Sequence, residues 1–210
     1  MDRVLSATPT QRPRAKMPDK DRAIRIIAEI IRQAGGELTG TARLYKAFYF
    51  AHLYYAESAP GYLSDWPIVK MPNGPGIESG SRLIAEMKDA GILSTDHVQV
   101  GPFQAMRFRL TGKEPIGDPL PGDAVQAIQQ AVQLVQDKAA ADLSGLIREF
   151  SRSWHLAKDG EELNIYIDLV PDDEYAARDT SLEKMKAAWE AASQDENAFL
   201  HPAPVTDTKT

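Results

Sequence analysis

The chain has 210 residues, 43% of them hydrophobic and 26% charged, with a net charge of -6 and no cysteine. The missing cysteine excludes disulfides, thiolate-held zinc and thiol nucleophiles, and the acidic balance weighs against a dedicated nucleic-acid binder, whose phosphate contacts need a basic surface. No apolar run approaches the ~18 residues of a membrane span, and the N-terminal stretch lacks the apolar centre of a signal peptide, so a cytoplasmic protein without a membrane partner is expected.

Residues 1–20 place Pro9, Pro13 and Pro18 among polar side chains, and Arg3, Arg12, Arg14, Lys16 and Lys20 outnumber Asp2 and Asp19. Too little apolar surface is present to offset the entropy of ordering, so a disordered basic arm is predicted. A single domain is then expected over 21–193, followed by a flexible tail over 194–210. Ile24, Ile27, Ala28 and Ile31 share one face of a first helix, 21–34, which Gly35-Gly36 ends.

Residues 40–57, GTARLYKAFYFAHLYYAE, form the stretch around which the rest is organised. Leu44, Phe48, Ala51 and Tyr55 make one helical face, while Tyr45, Tyr49 and Leu53 make the adjacent one. A helix apolar on most sides belongs inside a bundle. Its phenol hydroxyls call for polar partners at the edges of that core. Pro67 interrupts the extended stretch 62–70, which reads as an edge strand at best. The prolines and glycines of 71–76 read as a turn without regular structure, feeding a helix over 77–90. Gly91 caps that helix, and 92–110 gives a hairpin about Gly101-Pro102. A helix followed by such a hairpin is the pattern of a winged helix-turn-helix. A Pro/Gly linker over 112–121 leads to a helix over 123–138 with Asp123 as N-cap. A further helix covers 142–153. Residues 164–170 are ambiguous between strand and helical turn, and Thr180 with Glu183 forms a capping box for a helix to 193. The fold class expected is mainly α (α+β): a helical domain around a central aromatic helix, with a hairpin of winged-helix type.

Three stretches in this order resemble the Panacea domain antitoxin (SocA-like) family. In RLYKAFYFAHLYY, Leu44, Lys46, Tyr49, Phe50 and Ala51 fill the places of that family's opening helix. Gly74 and Pro75 match its Gly-Pro turn before a helix, although Met71-Pro72-Asn73 stands where an aromatic is expected. Leu143, Ser144, Trp154, Ala157, Gly160, Ile165 and Ile167 are similar to its closing Leu-Ser helix, Trp and apolar run. The resemblance spans about 38–169. It implies a mostly helical domain without chemistry of its own that neutralises a cognate protein toxin by direct contact, by occlusion or by handing the toxin to a protease.

Chemistry read from the residues is sparse. His52, His97, His155 and His201 show no H-x-H or H-E-x-x-H spacing, so no metal or other cofactor is expected. Ser151, Ser153, His155 and Asp159 include the members of a triad but lack a nucleophile elbow. Gly74-Pro75-Gly76 lacks the Gly-Lys-Ser/Thr of a phosphate loop. A winged-helix transcriptional regulator is the alternative, yet Arg82 and Lys88 face Glu78, Glu86 and Asp89 on the helix that would enter DNA. An adaptor role of a mobile-element regulator is a third reading. The residues expected at or supporting a partner surface are Tyr49, His52, Tyr55, Trp66, Lys70, Asn73 and Trp154, because aromatic side chains dominate interface hot spots.

Overall fold

Helix α1, Lys20–Gln33, begins where the Asp19 carboxylate accepts a hydrogen bond from the Arg22 amide and ends at Ala34. Asp19 and Lys20 thus belong to the helix and its cap, a correction to the arm boundary. The following Gly35 and Gly36 both have positive φ, which lets the chain reverse without a Cβ clash. These coordinates are those of a computed structural model, which describes residues 19–59 and 61–171 together with Lys184 and Ala187. The expected arm over 1–18, the Thr180/Glu183 capping box and the tail over 194–210 lie outside the described residues.

The chain divides into two compact units, 1–168 and 169–210. Of the second, Leu169, Val170, Pro171, Lys184 and Ala187 are described, the last two as helical and exposed. The first is mixed α+β. After α1 come β1 (Glu37–Thr39) and α2 (Thr41–Ser58). Next are the short strands β2 (Ile68–Met71) and β3 (Gly74–Ile77), then α3 (Gly80–Asp89). The longer hairpin β4 (Leu93–Val100) and β5 (Phe103–Leu110) follows, then α4 (Gly122–Asp137), α5 (Ala140–Phe150) and α6 (Arg152–Leu156). A 3-10 turn covers Ile165–Leu169. No helix among the described residues is long and apolar enough to cross a membrane.

Of the two α2 faces read from the periodicity, Leu44, Phe48, Tyr49 and Ala51 are buried and Tyr45, Leu53 and Tyr55 half-buried, while Lys46, Ala47 and His52, on neither face, are buried as well. The helix packs against α1, α4, α5 and β3. Strand β1 is too short to show a period. It pairs antiparallel with β5, Leu38 opposite Phe108, giving a sheet of order β1-β5-β4.

The main correction concerns 71–76. Gly74–Ile77 is a strand, antiparallel to Ile68–Met71, with Met71 opposite Gly74 across a Pro72-Asn73 turn. Pro75 is tolerated because it faces Lys70, whose own amide and carbonyl point outward, donating to the Glu161 carbonyl (2.9 Å) and accepting from the Gly160 amide (2.9 Å). The missing proline N–H would have faced away from β2 as well, so no ladder bond is lost. Because 74–77 is strand, α3 starts three residues later than its apolar spacing suggests. The predicted 142–153 helix also breaks in two. Ser151 leaves the helix and its hydroxyl caps α6, accepting from the Trp154 amide. Finally, α4 starts at Gly122 behind Pro121, so the expected N-cap Asp123 lies in the first turn.

Candidate functional site

Lys70 on β2, Asn73 in the turn and Trp154 on α6 are brought together at the tip of the β2–β3 hairpin. Lys70 Nζ sits 4.3 Å from the centre of the Trp154 ring and donates to the Ala157 carbonyl at 3.0 Å. The indole Nε1 donates to the Met71 carbonyl at 3.4 Å. A cation held over an indole face in this way gains ~0.5–2 kcal/mol, more as water is excluded. Pro72 and Asn73 of the turn are exposed, as are His155 and Leu156, which follow Trp154 on α6, Leu156 at 62%.

Beneath the turn lies a polar chain that reaches into the core. Lys46, only 2% exposed, donates from Nζ to Ser144 Oγ at 2.5 Å, and Ser144 Oγ donates to the Asn73 carbonyl at 3.4 Å. Burial, and next the nearby Arg148 charge, hold the Lys46 ammonium below its ordinary pKa. Gly74 is fitted to this place by its backbone: its φ of 116° is a value that favours glycine, whereas a Cβ there would make only ordinary contact, 3.7 Å from Lys46 Cε and Ile147 Cδ1.

Tyr49 and His52 contribute no surface. The Tyr49 hydroxyl donates to Asp168 Oδ2 at 2.8 Å, and the same carboxylate accepts from Ser151 Oγ (3.1 Å), the Ser153 amide (2.8 Å) and Ser153 Oγ (2.6 Å). Burial, then the Asp168 charge, push the phenol far above its usual pKa. His52 Nδ1–H donates to the Phe48 carbonyl at 2.7 Å, which leaves Nε2 to accept from Ser64 Oγ at 3.0 Å. Burial lowers its pKa to about 4, so the imidazole is neutral. Trp66 lies at the other end of the hairpin, its Nε1 donating to the Glu78 carbonyl at 2.8 Å. Tyr55 packs half-buried on the core.

Three of the seven residues singled out in the sequence therefore meet in one place, and four do not. Lys46 and Ser144 entered the sequence reading only through the family resemblance. The signal available in the residues alone was a lysine inside an otherwise apolar helix, which must either snorkel or find a buried partner. Leu156 carried no signal, because its exposure follows from the break at Ser151. Among the described residues no group of three His, Asp or Glu side chains is placed to hold a metal. No protein family, no curated protein and no solved structure matches this chain.

Proposed function

We propose that this chain is a protein-binding module of the Panacea antitoxin kind, which neutralises a cognate toxin in the cytoplasm by direct contact. The observation that carries the reading is the Lys70–Trp154 pair on the β2–β3 tip, next to the exposed turn residues Pro72 and Asn73. A half-buried indole is the kind of side chain that anchors interface hot spots, and the cation over its face orients it. The hairpin that presents them is backed by the buried Lys46–Ser144 contact, which favours a surface formed before the partner arrives. Occluding the toxin and delivering it to a protease both require this contact.

The test is co-expression with the product of the adjoining gene. Growth in the presence of the wild-type chain is expected, together with a complex that survives purification. Lys70→Glu is expected to weaken that complex at least tenfold while leaving the far-ultraviolet spectrum unchanged. Equal killing with and without the wild-type chain overturns the toxin reading. A stable complex with a harmless protein points to an adaptor instead.

A DNA-binding reading has one observation in its favour. Helix, strand, helix, helix and hairpin, with β1 against β5 on the far side from β4, is a winged-helix order once the β2–β3 insertion is set aside. Its charges speak against it. Arg82 pairs with Glu86, Arg107 with Asp96 and Arg109 with Glu37, so cations of the helix and wing are already spent on neighbouring acids. Retardation of promoter DNA that weakens steeply with salt would restore this reading.

A further inference from the structure

Away from the hairpin, α1 and the loop before α4 line a cavity of about 380 Å³ whose charged walls are Arg25, Arg32, Glu29 and Glu114. The two arginines differ in how their charges are used. Arg32 pairs with Glu29 and makes two 2.8 Å hydrogen bonds to the Glu114 carboxylate, whose side chain is 67% exposed. That group of charges is closed on itself and screened by water. Arg25 has no acidic partner among the described residues. Its Nη2 donates to the Pro115 carbonyl at 2.7 Å and to the Gly117 carbonyl. Its Nε is buried and has no hydrogen-bond partner. Nη1 likewise meets no acceptor among the described residues.

The same cavity has an apolar wall in Pro119, Leu120 and Val125. Fixed loop carbonyls hold the guanidinium in one orientation, so a ligand meets it without ordering it anew. The volume is within the range of small-molecule sites, on the order of 300–1,000 Å³.

We infer that this cavity binds a small monocarboxylate with an apolar body. Its carboxylate accepts from Arg25 Nη1, and its hydrocarbon part lies on the Leu120–Val125 wall. A dianion is disfavoured because Glu29 and Glu114 line the same cavity. An amine is disfavoured because its charge repels Arg25. The site is independent of the partner surface on the hairpin.

Titration of the full chain with hexanoate, followed by two-dimensional amide NMR, tests this, with 1-hexanol, hexylammonium and inorganic phosphate as comparison probes. Hexanoate is expected to shift amides of 22–33 and 114–125 together with the Arg25 Nε–H resonance, and to bind at least tenfold more tightly than the other three. Arg25→Gln is expected to lose that tenfold. Should the loop in that variant loosen, Val125→Phe provides the second arm, filling the apolar wall while Arg25 stays and abolishing hexanoate shifts in a folded protein. Equal affinity for hexanoate and 1-hexanol overturns the inference, as do shifts confined to other surfaces or hexanoate binding undiminished in Val125→Phe.

Discussion

In the β2–β3 hairpin the backbone itself lies in the core, since every residue of Gly74–Ile77 is buried, whereas β4–β5 projects, with Phe103 at its tip 73% exposed. The polar groups that serve the two hairpins differ accordingly. Beneath the first are Lys46 with Ser144 and, at its other end, His52 with Ser64, both desolvated. Along the second, Asp96–Arg107 and Glu37–Arg109 bridge the strands in contact with water. Desolvated contacts cannot be replaced by solvent when lost, and exposed ones can. A hydrogen bond lost beneath the inner hairpin therefore weighs more on stability than one lost along the outer.

The largest expected effect is at Lys46. Lys46→Ala removes a long buried stem and the donor to Ser144, and is expected to cost about 2–5 kcal/mol in chemical denaturation. Lys46→Met keeps the stem and is expected to recover most of that loss. The two also separate by pH. Folding lowers the Lys46 pKa from 10.5, so between the folded value and 10.5 the unfolded chain binds more protons and wild-type stability rises with pH. Lys46→Met should lack that rise, and an unchanged slope would mean that the ammonium is well hydrated.

His52 gives the next effect, in acid. Its pKa falls from 6.5 to about 4 on folding, so the neutral ring contributes in full above 6.5, and that contribution is lost as pH drops from 6.5 towards 4. The linked loss is on the order of 3 kcal/mol. Protonation forces Nε2 to donate, which Ser64 can accept only by rotating its own proton away. The urea midpoint of His52→Gln is expected to vary less than that of the wild type over this window. A parallel pH profile would show that the ring is not sealed.

Gly76 tests how tightly the inner hairpin is closed. A Cβ there would lie 2.2 Å from Met71 Sδ, so Gly76→Ala is expected to cost about 1–3 kcal/mol through overpacking. Met71→Ala in the same chain should return part of that loss, since the clash is with one flexible side chain. Gly122→Ala, where nothing lies within 4 Å, is the matched control. Additive losses from Gly76 and Met71 would refute the contact.

The same contrast governs how much could be read from the residues. The isoleucines of α1 and the apolar faces of α2 recur at helical spacing, and the β4–β5 hairpin is marked by Gly101-Pro102 and partly alternating apolar residues, so each left a local signal. Strand β3 has no such pattern. Its sequence is Gly-Pro-Gly-Ile, and what makes it a strand is pairing rather than periodicity: the register with Ile68–Met71 and the space that Gly76 leaves for Met71. The hairpin-tip cluster was half visible for the same reason. Aromatic and cationic residues marked Lys70 and Trp154, but the kink at Ser151 that turns Trp154 towards Lys70 depends on a side-chain cap with no periodic signature. The cavity at Arg25 left no local trace, since its loop partners lie about ninety residues away.

The smallest expected effect comes from the projecting hairpin. Arg107 grips Asp96 with two hydrogen bonds, at 3.2 and 2.5 Å, and Arg109 adds a contact at 3.6 Å. The Arg107 hydrogen bond holds the Asp96 carboxyl below its ordinary value of 3.8, so its contribution is complete above 3.8 and is lost as pH falls through the lower folded value. At neutral pH Asp96→Asn is expected to move the urea midpoint least of all these variants, with the shift vanishing at about 1 M salt, where screening reaches a few ångströms. A loss as large as that of Lys46→Ala, or one that persists in salt, would mean that this hairpin too is held by desolvated charge. The division between an inner hairpin and an outer arm would then fail.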